Sequence, residues 1–385
     1  MKKLIILGCT GSIGSTALKA LENSVAPIKI VGLSAYLNLN NLLTIANKFS
    51  VKNIATPQAD LNFIQKAKNF GIKVFTSIDE MIKSTEADLV LNGIAGTAGL
   101  KSSITTLSTG KDLALANKES IVMAGYLLKE LAKKNNKKIY PVDSEHSCLA
   151  ELIEAHGRNK VDKLFITASG GPFRNFTLSQ LKEITPLQAC KHPTWKMGKK
   201  ISIDSSTLAN KALEIIEASV LFDFPSNKIE TIINPTSQVH SLVSLKNGQT
   251  YAQISQPSMV FPIMNAIYKA FGFSYEQTPP TSIFDFMGDG MKLEFYPMNQ
   301  EKFPMIRLGF ECLNSSKGSP IVFNAANEIA VNKFCLGELN FIQIPILVEK
   351  TLIKMGNQTQ TDTFEDIFEI DRQTREIGEK LSKTF

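Results

Sequence analysis

Three carboxylates raise the first chemical question. Asp143 and Glu145 lie in Pro141-Val142-Asp143-Ser144-Glu145-His146, at the end of an expected strand. Residues i and i+2 of an extended chain share a face, so both acids are expected to point the same way. Carboxylates that close repel unless they share a cation or a proton. A third acid, Glu214, follows Asp204-Ser205-Ser206-Thr207 on an expected helix. Asn210 and Lys211 precede it by four and three residues and project to the same side. Leu208, Ala212, Ile215 and Ile216 are expected on the opposite, buried side. Oxygen-only ligands suit a hard ion such as Mg2+ or Mn2+. Spacing alone allows surface acids in salt bridges equally well.

A second group of residues suits a phosphate. Ser169-Gly170-Gly171-Pro172 follows an expected strand and offers a hydroxyl and backbone N–H groups. Ser205, Asn210 and Lys211 are expected at the start of a helix. Between these runs His192-Pro193-Thr194-Trp195-Lys196-Met197-Gly198, which holds the only Trp. This stretch, about 190–200, is too polar and broken for a strand or helix. It reads as a lid over substrate, or as a loop whose Trp docks on the core. Near the N-terminus, Gly8-Cys9-Thr10-Gly11-Ser12-Ile13-Gly14 stands between an apolar run and a helical stretch. Glycines there let the backbone approach a pyrophosphate at a helix N-terminus, although glycines also cap ordinary strand–helix turns. Ser34-Ala35-Tyr36-Leu37-Asn38 ends the second expected strand without an acid for a ribose hydroxyl, which favours NADP over NAD.

The elements that must carry these groups follow from the apolar rhythm. Strands are expected at 3–7, 28–33, 53–56, 73–75, 89–92 and 112–116, with helices between them, for example 13–22 and 39–49. Such alternation implies an N-terminal Rossmann-type parallel sheet over 1–135. A central α+β catalytic domain is expected at 136–271, with strands at 138–142, 163–167, 229–233, 238–245 and 249–254. Asn247-Gly248 joins the last two as a hairpin. A linker at 272–290 and a C-terminal helical bundle at 291–385 complete an α/β chain. In the bundle Phe364, Ile367 and Phe368 suggest a buried stripe.

Composition narrows the class. The 385 residues are 43% hydrophobic and 20% charged, which suits folded domains. The net charge of +6 is spread along the chain, which suits a small anionic substrate and gives no nucleic-acid patch. No stretch approaches the about 20 apolar residues of a membrane span. Five scattered cysteines without a C-x-x-C pair fit a reducing compartment. The expectation is therefore a cytoplasmic protein.

Taken in order, the motifs resemble the 1-deoxy-D-xylulose 5-phosphate reductoisomerase family over essentially the whole chain. They are Gly11-Ser12-Ile13-Gly14, Ala116-Asn117-Lys118-Glu119-Ser120, Pro141 to Ser147, Ser169 to Arg174, His192 to Gly198, and Asp204 to Thr207 with Asn210, Lys211 and Glu214. The resemblance implies that Asp143, Glu145 and Glu214 bind Mg2+ or Mn2+ and that Lys118 and Ser144 contact the substrate. It implies that Ser169, Ser205, Asn210 and Lys211 hold the phosphate, and that His192 and Trp195 belong to the lid. Thr10, Gly11, Ser12, Ile13, Asn38, Asn117, Glu119 and Gly198 would line an NADPH site. The implied protein is a homodimeric enzyme that isomerises and reduces a sugar phosphate. Two departures stand out. The family commonly has a small or basic residue where Tyr36-Leu37 stand, and His-Pro-Gln-Ser where this chain has Asn234-Pro235-Thr236-Ser237. The rivals are a metal-free dehydrogenase acting on an amino-acid semialdehyde and a non-catalytic sugar-phosphate sensor.

Overall fold

The computed structural model describes residues 1–191, 195, 198–274, 284, 286, 288, 290–356, 358 and 360–385. Two compact units emerge: Met1–Ser120 with Leu128–Ser147 and Ser258–Thr281, and Ile121–Leu127 with Cys148–Pro257 and Ser282–Phe385.

Strand and helix alternate through β1 (Lys2–Leu7), α1 (Ser12–Glu22), β2 (Ile28–Ser34), α2 (Leu39–Lys48), β3 (Asn53–Ala55), α3 (Leu61–Asn69), β4 (Lys73–Phe75), α4 (Ile78–Ser84), β5 (Leu89–Asn92), α5 (Gly99–Ser108), β6 (Asp112–Leu115), α6 (Lys118–Lys134), β7 (Ile139–Pro141) and α7 (Ser144–His156). The strands form one parallel sheet in the order β4-β3-β2-β1-β5-β6-β7. Leu4–Leu7 and Leu89–Leu91 are wholly buried, because helices cover both faces of such a sheet. The order turns at β1, whose carboxyl end is therefore a switch point where ligands bind.

The chain continues through β8 (Val161–Ala168), α8 (Leu178–Leu181), α9 (Pro186–Ala189), α10 (Lys199–Thr207), α11 (Ala209–Phe222), β9 (Ile229–Ile233), β10 (Val239–Leu245), β11 (Thr250–Ile254), α12 (Val260–Phe271), β12 (Tyr296–Pro297), α13 (Pro304–Leu313), α14 (Ser319–Cys335), α15 (Gln343–Met355) and α16 (Phe364–Ser382). The second sheet runs β11-β10-β8-β9-β12. It is mixed: β8 and β9 are parallel, while β10 is antiparallel to β8 and β11. The expected hairpin is present, with Gly248 at φ +87° and Asn247 Oδ1 accepting from the Gln249 amide.

The expected domain boundaries need correction. The strand near 138–142 does not open the central domain. As β7 it extends the first sheet, in parallel with β6. Helix α12 also leaves the central domain: Ile263, Ile267 and Phe271 share a core with Leu4, Leu91 and Tyr140. The C-terminal helices also share cores with central elements. Phe303 and Ile306 join Leu164, Ile166 and Val243 in one core, and Phe323, Ala326 and Phe334 join Ala212 and Ile216 in another. Short apolar runs do not say which sheet or core they join, since that depends on long-range packing. The expected linker at 272–290 lies mostly outside the described residues.

The stripe on α16 is also corrected. It runs through Ile367, Ile370, Asp371, Thr374 and Gly378, while Phe368 is exposed. A Cβ on Gly378 would come 2.7 Å from Ile329 Cδ1, so α16 packs on α14 at a residue without a side chain.

Candidate active site

At the end of β1 the chain turns through Gly8, whose φ of +71° favours glycine. The Gly8 amide donates to Ser34 Oγ at 3.1 Å and the Cys9 amide to the Ser34 carbonyl at 2.8 Å. Burial pushes the Cys9 thiol up to about 12, so this cysteine is inert packing. Gly11 precedes α1 in extended backbone with no side chain capping the helix and no acid in its first turn. Those N–H groups and the positive helix end fit an incoming anion. Gly11 and Ser12 are exposed, and Thr10 and Ile13 half-buried. Tyr36 and Leu37 are exposed, and Asn38 caps α2 by accepting from the Asn41 amide. Neither an acid nor a base occupies this turn.

Lys118 opens α6 and is buried. The cap is Asn117, whose Oδ1 accepts from the Ser120 amide at 3.0 Å. The Asn117 amide also donates to the Gly96 carbonyl at 2.8 Å and to Glu119 Oε2 at 3.0 Å. Under this turn, buried Asn92 donates to the Gly99 carbonyl and to Ser103 Oγ, both at 2.9 Å. Asn92 and Ser103 were not among the expected site residues. Their signal was a polar residue closing the apolar run Leu89-Val90-Leu91.

Asp143 and Glu145 do not lie on an extended chain, and this overturns the alternation argument. Helix α7 begins at Ser144. The Asp143 carbonyl accepts from the Ser147 amide at 2.8 Å, and Asp143 Oδ1 accepts from the Ser144 amide at 3.1 Å. Glu145 stands in the first turn, where the helix dipole favours a negative charge. Ser144 Oγ donates to Glu145 Oε2 at 2.5 Å, and Lys118 Nζ forms an ion pair with Asp143.

The second unit holds the phosphate candidates. Gly170 and Gly171 follow β8 with φ of +84° and +68°. The Gly171 amide donates to Ser169 Oγ at 3.2 Å. A Cβ on Gly171 would lie 2.9 Å from the Ser205 carbonyl oxygen, so the loop rests directly on α10. Ser205 is in the last turn of α10 and not at a helix start, a correction forced by Leu208. This residue adopts φ +62° and separates α10 from α11, so only Asn210 and Lys211 lie in a first turn. Asn210 Nδ2 donates to Glu214 Oε1 at 2.5 Å, and Lys211 Nζ pairs with Glu214. The three therefore share a side, as their spacing requires. That side is not the exposed one, because Lys211 and Glu214 are as buried as Ala212, Ile215 and Ile216. Gly198 is the residue before α10, Trp195 is half-buried, and His192 lies outside the described residues.

Asn234, where the family commonly has His, is wholly buried and organises the turn after β9. Its Oδ1 accepts from the Gln238 and Val239 amides at 3.1 Å, and its Nδ2 donates to the Glu294 carbonyl at 3.0 Å.

A glycine turn at the switch point of a doubly wound sheet, and a second unit whose donors suit a phosphate, define a pyridine-nucleotide oxidoreductase of phosphorylated substrates. Comparison with known proteins narrows the class. Residues 4–125 match the family model for 1-deoxy-D-xylulose 5-phosphate reductoisomerase, and 139–222 and 254–377 match models of that enzyme's C-terminal domains. The reductoisomerase of Treponema denticola is 41% identical, with 98% of this chain and 96% of that protein aligned. That of Clostridium kluyveri is 38% identical over the whole of both. A crystal structure of DOX-P reductoisomerase with NADPH, fosmidomycin and magnesium superposes with a TM-score of 0.91 at 32% identity, covering 100% of this chain and 98% of that one. The Zymomonas mobilis enzyme in complex with NADPH gives 0.88 at 33%, with both chains fully covered. The chain belongs to the 1-deoxy-D-xylulose 5-phosphate reductoisomerase family.

Proposed function

We propose that this protein isomerises 1-deoxy-D-xylulose 5-phosphate and reduces the product with NADPH to 2-C-methyl-D-erythritol 4-phosphate, in the non-mevalonate isoprenoid pathway. The observation that carries this reading is the 41% identity across 98% of the chain, which spans the glycine turn, the carboxylates and the phosphate candidates. Asp143, Glu145 and Glu214 would hold Mg2+ or Mn2+, an all-oxygen set that suits a hard cation. When bound, the cation polarises the substrate's oxygens and NADPH supplies the hydride. Lys118 and Ser144 orient the reacting end. Ser169, Ser205, Asn210 and Lys211 hold the phosphate, with the Gly170-Gly171 backbone beside them. Thr10, Gly11, Ser12, Ile13, Asn38, Asn117, Glu119 and Gly198 serve the nucleotide. A homodimer in the cytoplasm completes the proposal. No helix among the described residues is long and apolar enough to cross a membrane.

The test is NADPH oxidation followed at 25 °C. It should need both 1-deoxy-D-xylulose 5-phosphate and Mg2+ and stop on full chelation. NADH should work less well, by a smaller margin than in sites with a basic clamp, because Tyr36 and Leu37 offer the 2′-phosphate no charge. Turnover that survives chelation would favour the semialdehyde dehydrogenase instead. Equal kcat/KM for both cofactors would refute the reading of the Tyr36-Leu37 turn.

His192 and Trp195 would belong to a lid. Trp195 is the only Trp, so its fluorescence should change when a phosphonate hydroxamate binds with Mg2+. Trp195→Ala should raise KM without a collapse of the thermal midpoint, because lid area is worth a few kcal/mol at most at about 25 cal/mol per Å2. A collapsed midpoint with unchanged turnover would make Trp195 a core residue.

A further inference from the structure

Asp204 is a buried carboxylate with no role in the reaction as described. It lies in the last two turns of α10 and is 1% exposed. Its Oδ1 accepts from Asn327 Nδ2 at 2.8 Å, and its Oδ2 pairs with Lys200 Nζ at 2.9 Å. Asn327 is itself fully buried on α14, where Phe323, Ala326 and Ala330 surround it in sequence and are equally buried. Its Oδ1 accepts no hydrogen bond among the described residues.

Stability does not explain this pair. A buried carboxylate loses several kcal/mol of hydration, and apolar replacements of similar volume are often as stable. What the pair supplies is direction. Apolar contacts let a helix rotate or slide by small amounts, whereas a bond from α14 to one side chain of α10 fixes both.

The residue after Asp204 is Ser205, the half-buried member of a turn whose other residues are buried. Its carbonyl meets the Gly171 loop, as described above. Two residues further, Thr207 Oγ1 donates to the Ile203 and Asp204 carbonyls and accepts from the Ala209 amide, closing α10 around Leu208. Asn210 and Lys211 follow at once. A rotation of α10 would therefore displace Ser205 and the start of α11 together.

We infer that Asn327 and Asp204 are positioning residues for the substrate's phosphate: the bond between α14 and α10 holds Ser205, and through Leu208 also Asn210 and Lys211, in place. This rests on the reading of those residues as the phosphate site.

The experiment compares substrate KM, kcat and NADPH affinity in full-length variants. Asn327→Asp sets a carboxylate against Asp204 and should raise KM about tenfold or more, with kcat and NADPH affinity changed less than about threefold. The exchange Asp204→Asn with Asn327→Asp rebuilds an amide–carboxylate bond and should bring KM back to within about threefold. Asn327→Leu keeps the volume and removes the donor, so it should fold yet share the raised KM, which covers the case in which Asn327→Asp does not fold. A wild-type KM in Asn327→Leu, or a fall in kcat at unchanged KM, would overturn the inference. Ser205→Ala separates the two levels. Should it leave KM unchanged, the phosphate site itself is misread. Should it raise KM while Asn327→Leu does not, only the positioning role fails.

Discussion

Glu214→Gln should lower metal-dependent turnover by at least about a thousandfold, since a neutral amide cannot replace a carboxylate that holds a cation at the point where charge develops. NADPH affinity should stay within about twofold, because the glycine turn belongs to the other unit with its own core. The variant should also lose about 1–3 kcal/mol of stability. Glu214 is wholly buried and accepts from Asn210 and pairs with Lys211, so loss of its charge weakens a buried pair. Thermal denaturation distinguishes this from unfolding: the protein should remain folded at the assay temperature. Turnover within about tenfold of the parent would remove Glu214 from the metal site.

Gly14→Ala should damage nucleotide binding and stability together. A Cβ there would lie 2.5 Å from both Cys9 Cα and the Gly8 carbonyl oxygen, backbone atoms that cannot step aside alone. The first turn of α1 must move off the Gly8-Cys9 turn, which costs about 1–3 kcal/mol as overpacking. That move displaces the N–H groups offered to the pyrophosphate, so NADPH affinity should drop by about a hundredfold. Gly11→Ala is the control. Its Cβ would meet only the Gly8 carbonyl oxygen, at 3.3 Å, on an exposed residue. The midpoint should hold while NADPH binding weakens, because the methyl stands where the nucleotide approaches. Titration of NADPH fluorescence with both variants reads the difference. Equal effects on binding and midpoint at the two positions would mean that Gly11 serves the fold and not the ligand.

Much of this protein was determined by its sequence alone. Strands buried on both faces must be continuous apolar runs, so β5 and the buried part of β1 are legible to within a residue or so of their ends. The glycines at 8, 11 and 14 were legible because a tight turn and a close helix–strand contact leave few other residue types. The grouping of Asn210, Lys211 and Glu214 followed from helical period alone. In each case the signal is local: a face, a turn, a period.

What failed was any inference that needed knowledge of where the chain goes next. Alternation puts Asp143 and Glu145 on one face of a strand, but the backbone turns into α7 at Ser144, where alternation does not apply. A short run such as Ile139–Pro141 is compatible with either sheet, and only pairing with β6 assigns it. The stripe on α16 keeps Ile367 but runs on to Gly378, and the spacing of apolar residues does not show a contact that a missing side chain makes possible. Tertiary structure alone set Lys118 against Asp143, and Asn327 against Asp204 across 123 residues. A charge or amide within an apolar helix marks a buried bond in the sequence, but only packing names its partner, because that partner is chosen by the approach of two helices and not by spacing along the chain.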